Sequence, residues 1–443
     1  MIKRLIGFIG DSAMLRCSRH TLASLLIFTV SLTAAHAKPI EILLWHSLAG
    51  HIGSQMNALI NGFNHSQTEY VIKGDYKGDY IESLTSFAAA FRAHQPPALI
   101  QIFEVGTATM LAPTGIIKPV DKLMQDEGLA LPEASFFPAI RTYYSERSHL
   151  MAMPFNTSVP VIFYNADALA SVGYSAASFP RTWDELERLA FKLKQAGFSC
   201  AYTSAYPAWI LIEAFSAIHG LPMIDLVTQK AIYNNEKIIQ HLVRLLRWQQ
   251  LHYFEYGGRT DDATVLFTSG RCPLLSQSSG VYNSLSELVP FKLGMAALPL
   301  DKKASDRRFN NAAGGAALWV VANQSPEIYH GIARFFSYLA DPAVQQRWHE
   351  NTGYLPLGTT GIYEQLAKES KHPSLRLAQV ELVGNDEAVS TLRLGPQNQI
   401  RVINDEALEE IFAGLKSPKR AIDEAVIRAN HVLQRFAQNT SDH

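Results

Sequence analysis

The sequence predicts an α/β chain with mostly parallel sheets, and three observations carry that expectation. Apolar runs of strand length, such as Ala98–Phe103 and Val159–Tyr164, recur along the chain. Between them lie segments whose apolar residues return every three or four positions, the spacing of one helix face. Strands interleaved with helices in this way build parallel sheets, because each parallel neighbour needs a crossover. Third, no internal repeat and no Pro/Ser-rich linker divides the chain. If it has two lobes, it passes between them by short strands rather than by a tether.

The first residues read as an address rather than as fold. Lys3, Arg4, Arg16 and Arg19 give a basic start, Thr21–Ala35 is apolar, and Ala35-His36-Ala37 has the small-x-small pattern of a signal-peptidase site. The apolar run is shorter than the ~20 residues that span a bilayer. No Cys follows it, so no lipoprotein anchor is indicated; Met14 is an alternative start. The mature chain is therefore expected to run from Lys38 to His443.

Lys38–Ser47 reads as a buried first strand, and Ile52, Met56, Leu59, Ile60 and Phe63 mark the helix after it. Tyr70–Tyr76 is a second short strand. Pro96 and Pro97 introduce the strand Ala98–Phe103, which ends at Glu104. Val159–Tyr164 is another apolar strand. Thr182-Trp183-Asp184-Glu185 is a capping box that opens a helix through Lys194. Ile238, Ile239, Leu242, Leu245 and Leu246 form the buried face of a further amphipathic helix.

Composition narrows the function classes. The 443 residues hold 39 Lys plus Arg against 40 Asp plus Glu, a net charge of −1. That balance leaves no electrostatic footprint for nucleic acid. With 47% hydrophobic and 18% charged residues, the chain is globular and too charged for a multi-span membrane protein. Export would permit a disulfide. Only Cys200 and Cys272 remain in the expected mature chain, and both a bridge and two buried thiols fit their spacing. Neither lies in a CxxC or metal-ligand spacing, so no metal site is expected. The P-loop, GxGxxG and GxSxG motifs are absent, and His349-Glu350 fails the HExxH pattern because position 353 is Gly.

Several short strings carry binding chemistry instead. Tyr80 closes Tyr76-Lys77-Gly78-Asp79-Tyr80 at a helix start, where its hydroxyl can face a cleft. Glu104 follows a buried strand, and ligands of α/β sheets bind beyond the carboxyl ends of strands. A carboxylate there accepts hydrogen bonds from two ligand hydroxyls. Phe155-Asn156-Thr157-Ser158 precedes an apolar strand and suits a crossover between lobes. Tyr206 and Trp209 stand three apart around Pro207 as a candidate cleft wall. Ser278-Ser279-Gly280 and Gly314-Gly315 are small, donor-rich turns that let backbone approach an anion. Arg401, after Pro396-Gln397-Asn398, is the candidate anion clamp.

Taken together, these strings resemble the extracytoplasmic solute-binding proteins of ABC importers, and within them the sn-glycerol-3-phosphate binders. The resemblance covers essentially the whole mature chain. It rests on Leu44-Trp45-His46-Ser47, Tyr76–Tyr80, Phe103–Met110, Pro154-Phe155-Asn156, Phe215-Ser216-Ala217, Gly314-Gly315-Ala316, Trp348-His349, Thr352–Pro356, and Leu392–Pro396 with Gln399–Ile403.

The resemblance implies a two-lobed periplasmic-binding-protein (Venus flytrap) fold, each lobe a mostly parallel sheet flanked by helices, with hinge crossovers between lobes. Residues 1–37 would be the cleaved signal peptide. Residues 38–156 and 314–356 would form the N-terminal lobe, and 157–313 and 357–443 the C-terminal lobe. Phosphate contacts would fall on Tyr80, Ser278, Gly315, Tyr354 and Arg401, and the glycerol hydroxyls on Glu104 and Ser158. Tyr206 and Trp209 would pack beside the glycerol backbone. Here the sequence departs from the family pattern, with Tyr206 for the usual Trp and Ala205 and Ala208 for the usual glycines. The preference between glycerol phosphate and bulkier diesters such as glycerophosphocholine therefore stays open.

The implied role is a periplasmic, non-enzymatic binding subunit, a monomer before docking. Its partners would be the small ligand and the membrane permease and ATPase subunits, with no cofactor, no metal and no nucleic acid. An oligosaccharide ligand in the same fold and an exported phosphodiesterase are the alternatives.

Overall fold

In the computed structural model of the protein, residues 38–383 and 395–441 are described. The expected signal peptide and the residues Leu392–Leu394 lie outside them. Two five-stranded sheets organise the chain. The first contains β1 (Ile40–His46), β2 (Tyr70–Tyr76), β3 (Leu99–Phe103), β4 (Met153–Pro154) and β10 (Ala316–Val320), in the order β2-β1-β3-β10-β4. The second contains β5 (Pro160–Asn165), β6 (Tyr202–Ser204), β7 (Phe254–Glu255), β8 (Leu274–Ser278) and β9 (Leu293–Ala297), in the order β7-β6-β8-β5-β9.

In each sheet a single strand runs against the others: β10 pairs antiparallel with both β3 and β4, and β5 with both β8 and β9. The remaining strands share one direction, which is the mostly parallel arrangement read from the sequence. Both reversed strands start where the chain enters their sheet from the other one. There Ser158 and Gly314 form an antiparallel bridge, Ser158 N–H to Gly314 O at 3.1 Å and Gly314 N–H to Ser158 O at 2.9 Å.

The helices follow the sequence signals closely. Helix α1 (Gly50–Ser66) buries Met56, Ile60 and Phe63. Helix α2 (Tyr80–Arg92) starts at Asp79, whose carboxylate caps it while Glu82 reaches back to the Asp79 amide. Helix α3 (Trp183–Gln195) has the capping box between Thr182 and Glu185. Next come α4 (Ala208–Ala214, a π-helix), α5 (Glu236–Gln250), α6 (Pro342–Thr352), α7 (Pro373–Leu382), α8 (Gln397–Phe412) and α9 (Pro418–Ser441). Apolar side chains fill the space between helices and sheets in two clusters. One includes Ile42, Ile100, Trp319 and Phe336, the other Leu186, Tyr202, Trp248 and Leu408. After α6 the chain stays with the first sheet's body as far as Tyr363, whose hydroxyl donates to the Ala340 carbonyl at 2.9 Å. Helix α7 lies against β9 of the second sheet.

Cys200 and Cys272 are joined in a disulfide, their Cα atoms 4.8 Å apart. Of the two fates the sequence left open, the bridge is the one realised. It ties together the chain just ahead of the parallel neighbours β6 and β8.

Candidate functional site

The first wall of the site is built at the end of β3. Glu104 follows the last strand residue, and its amide donates to the Gly315 carbonyl at 3.0 Å. Its own carbonyl accepts from the Tyr143 hydroxyl at 2.8 Å. These bonds fix the backbone and leave the side chain to point beyond the sheet. Tyr80, first residue of α2, stacks on Phe103 with ring centroids 5.2 Å apart and planes 2° from parallel. Its hydroxyl accepts from Asn156 Nδ2 at 3.0 Å, Asn156 Oδ1 accepts from Gln101 Nε2 at 2.8 Å, and Gln101 Oε1 accepts from the Ser47 amide at 2.9 Å. That relay uses the acceptor side of the Tyr80 hydroxyl and leaves its proton to donate. Tyr354 follows Gly353, which ends α6 in the left-handed region at φ 87°. Its ring stacks on Trp348, which stacks in turn on Phe155.

The floor is the crossover itself. Ser158 is buried beside Gly314 and Gly315. Gly315 has φ +99°, and a Cβ there would run into the Asn156 carbonyl, so only glycine fits. At Gly314 a Cβ would stand 2.7 Å from Trp209 Cη2, so this glycine lets the indole close over the crossover.

The second wall comes from the other sheet. Tyr206 sits at φ 43°, strained for a residue with a Cβ, and its amide donates to the Thr260 carbonyl at 2.7 Å. Tyr206 is 38% exposed, whereas Trp209 is 5% exposed and its indole N–H has no partner among the described residues. Both precede or open the π-helix α4, a geometry that often marks functional sites. Ser278, at the end of β8, accepts the Gly280 amide on its hydroxyl oxygen at 3.2 Å. That amide is thus already engaged.

Arg401 projects from α8 into the middle, and its guanidinium is held by two carboxylates. Nε and Nη2 fork onto Glu213 of α4 at 2.9 and 2.6 Å, while Nη1 reaches Glu104 at 2.8 Å. Gln397 Nε2 adds a bond to Glu213 at 3.1 Å. Burial works against the Arg401 charge, but Glu213 and Glu104 outweigh it and hold its pKa above the ordinary arginine value. Burial likewise pushes the Glu104 carboxyl up, and Arg401 pulls it back. One turn on from Arg401, Asp405 accepts the Ala208 amide at 3.3 Å. Burial raises its pKa to about 7, against the pull of Arg401.

These side chains border one cleft of about 500 Å³. Tyr80, Glu104, Ser158, Tyr206, Trp209, Ser278, Gly315, Tyr354 and Arg401 all line it, so every site residue singled out in the sequence converges there. Asp79, Asp261 and Asp405 add carboxylates to its lining. Sequence reasoning missed Glu213 and Asp405. A signal existed for both. Glu213 is the one charge in the apolar run Trp209–Ala214, and Asp405 shares a helix face with Arg401 at i+4 spacing. The arrangement can hold an anion at Arg401 and hydroxyl donors at Glu104, with ring faces on either side. Among the described residues the one grouping with metal-ligand geometry is Cys200, Glu255 and Cys272, and its two sulfurs are joined to each other.

Comparison with known proteins adds an independent line. The family model described as bacterial extracellular solute-binding protein matches residues 58–374. The sn-glycerol-3-phosphate-binding periplasmic protein UgpB of Escherichia coli K12 is 36% identical over 434 residues, which cover 95% of this chain and 99% of that protein. UgpB of Yersinia enterocolitica is 37% identical over 423 residues, covering 93% and 96%. Among solved structures, UgpB from Mycobacterium tuberculosis in complex with glycerophosphocholine superposes with a TM-score of 0.74 at 20% identity, covering 90% of this chain and 99% of that one. The cyclic alpha-maltosyl-1,6-maltose binding protein of Arthrobacter globiformis gives 0.72 at 19%, covering 90% and 100%. At those identities the structural likeness speaks for the fold.

Proposed function

The chain belongs to the bacterial extracellular solute-binding protein family, with the sn-glycerol-3-phosphate-binding periplasmic proteins as its relatives, and from that premise we propose that it captures sn-glycerol 3-phosphate between two lobes and delivers it to the permease and ATPase subunits of an ABC importer. Glycerophosphodiesters such as glycerophosphocholine share the glycerol phosphate unit and enter the same cleft. The lobes are the bodies around the two sheets. The first is taken as residues 38–156 and 314–356 and the second as 157–313 and 357–443; the Tyr363 bond to the Ala340 carbonyl and the contact of α7 with β9 support a return to the second body in this part of the chain.

The observation that carries the reading is the Glu104–Arg401 pair across the cleft, set among neutral donors. Glycerol phosphate offers each of the two what it holds in the other. Its hydroxyls donate to Glu104, with Ser158 alongside. Its phosphate oxygens accept from Arg401, from the hydroxyls of Tyr80, Ser278 and Tyr354, and from the backbone at Gly315. Tyr206 and Trp209 cover the carbon chain, and the unpartnered Trp209 N–H gains an acceptor. Among the described residues a single cation lines the cleft, and its being already shared with Glu213 keeps the anion releasable. The contacts come from both lobes, so ligand favours the closed arrangement over the open one. The expected location is the periplasm.

The test is calorimetric titration of ligand-stripped protein with sn-glycerol 3-phosphate, glycerophosphocholine, inorganic phosphate and maltose. Stoichiometric heat with the glycerol phosphates alone is expected. Heat with maltose alone would turn the reading to the oligosaccharide alternative, and slow release of product from glycerophosphocholine would turn it to a hydrolase.

A further inference from the structure

Asp405 is a buried carboxylate that the reading above leaves without a task. It lines the cleft one helical turn beyond Arg401 and is 8% exposed. Its recorded bond is from the Ala208 amide at 3.3 Å, and no ion pair to it is found among the described residues. The cations around it are committed. Arg401 is held by Glu213 and Glu104, and Arg259 forks onto Glu409 at 2.8 and 2.5 Å. The other ionisable groups acting on it are acidic or neutral, Glu213 from α4 and Tyr256 beyond β7, and Glu104 and Asp261 share its cleft lining. Among the described residues, the cleft therefore sets the guanidinium of Arg401 against Glu104, Glu213 and Asp405.

We propose that Asp405 is a specificity-determining residue that sets the charge of the phosphoryl group the cleft accepts, favouring a singly charged phosphodiester over a doubly charged monoester. The proposal rests on the reading of the cleft as a glycerol phosphate site. A phosphate monoester loses its second proton near pH 6, so it is a dianion at pH 7.5, whereas a diester carries one charge throughout. The second charge of the monoester meets a third carboxylate that, among the described residues, has no ion-pair partner of its own, the pull of Arg401 being outweighed by burial. It can be accommodated when Asp405 takes a proton from solution, after which the neutral acid can donate its O–H toward a phosphate oxygen. Monoester binding is then coupled to proton uptake at Asp405, and diester binding is not. Burial of Asp405, with a pKa near the working pH, makes that uptake available.

The experiment compares wild type with Asp405→Asn, which keeps an oxygen for the Ala208 amide, by calorimetry at pH 7.5. Each is titrated with sn-glycerol 3-phosphate and with glycerophosphocholine in two buffers of different ionisation enthalpy. In wild type, proton uptake should accompany the monoester only. In the variant that uptake should vanish, and the affinity ratio of monoester to diester should rise by about tenfold, the order expected when one nearby charge is removed at a partly screened site. Asp405→Ser is the second variant should the amide disturb folding. An unchanged ratio with unchanged proton uptake overturns the role of Asp405 and leaves the ligand reading standing. Failure of both ligands to bind wild type overturns the ligand reading and this proposal with it.

Discussion

Arg401 Nη1 stands 2.8 Å from Glu104 Oε1, joining helix α8 of one lobe to the end of β3 in the other. Both groups are largely buried, with side chains 17% and 10% exposed. A ligand that parts them must satisfy both, because a buried charge left without its partner costs roughly 3–5 kcal/mol. Glycerol alone serves Glu104 and leaves Arg401 Nη1 without an acceptor, although Glu213 still holds the rest of the guanidinium; inorganic phosphate serves Nη1 and leaves the Glu104 carboxylate without a partner. Each should bind at least about a hundredfold more weakly than glycerol phosphate, an energy difference of roughly 3 kcal/mol. Competition titrations measure this directly. Phosphate binding as tightly as glycerol phosphate would show that Glu104 exerts no discrimination.

Arg401 should be indispensable in a way that an exposed arginine on another helix is not. Arg401→Ala removes the cleft's cation and leaves Glu213 and Glu104 facing one another, so affinity for glycerol phosphate should fall by two or more orders of magnitude, roughly 3 kcal/mol. Arg347→Ala, on the exposed face of α6, should bind as wild type does. Calorimetric affinities for the three proteins test the pair. Equal values for wild type and Arg401→Ala would remove Arg401 from the site.

Trp209 should report ligand by fluorescence. Its ring lines the cleft and its indole N–H has no partner among the described residues, so an arriving acceptor changes both its polarity and its hydrogen bonding. A ligand-dependent emission change is expected in wild type and should be lost in Trp209→Phe. A change that survives the substitution would mean that another tryptophan senses the ligand.

Much of this was legible because local signals and tertiary structure agree. The strand Tyr70–Tyr76 has the expected limits and the helix opened by Thr182 ends one residue past the expected Lys194, since period and capping both act within a few residues. The reversal of β5 and β10 was not legible, because a strand's direction depends on which side the chain enters the sheet from, and that is settled by the Ser158–Gly314 bridge between distant residues. Cysteine pairing depended in the same way on the parallel neighbours β6 and β8. Within the site, hydroxyls and glycines near strand ends stood out. Glu213 did not, because what it does comes from the π-helical turn that brings it under Arg401. Asp405 looks like one more charge on an amphipathic helix until packing against α4 buries it.

The disulfide should contribute materially to stability. Cys200 and Cys272 are buried and 72 residues apart, a loop whose closure in the unfolded chain corresponds to about 4 kcal/mol in the chain-entropy account. Reduction, or the Cys200→Ser/Cys272→Ser double variant, should lower the melting temperature by several degrees. The bridge lies outside the cleft lining, so affinity for glycerol phosphate should stay within about twofold at 25 °C. Melting curves with and without reductant, each paired with a titration, separate the two effects. An unchanged melting temperature on verified reduction would mean that the bridge does not stabilise the native chain.

Asp405 should make stability fall as pH rises through the neutral range. Its carboxyl has a pKa of about 7 in the folded protein, against about 3.9 in an unfolded chain. Between those values the native state binds a proton that the unfolded state has released, so protonation favours folding. The contribution is complete below about pH 4, fades as pH climbs toward 7 and is gone above it. Roughly three pKa units correspond to about 4 kcal/mol at full extent. Asp405→Asn removes this slope by being neutral throughout. The variant should therefore melt several degrees above wild type at pH 8, and the gap should narrow to about a third by pH 5 and close near pH 4. The sign is the opposite of what loss of an ion-paired aspartate gives, because a carboxylate held by a partner stabilises at high pH. A variant that melts below wild type at pH 8 would show that the ionised Asp405 is held by a stabilising partner in the native cleft.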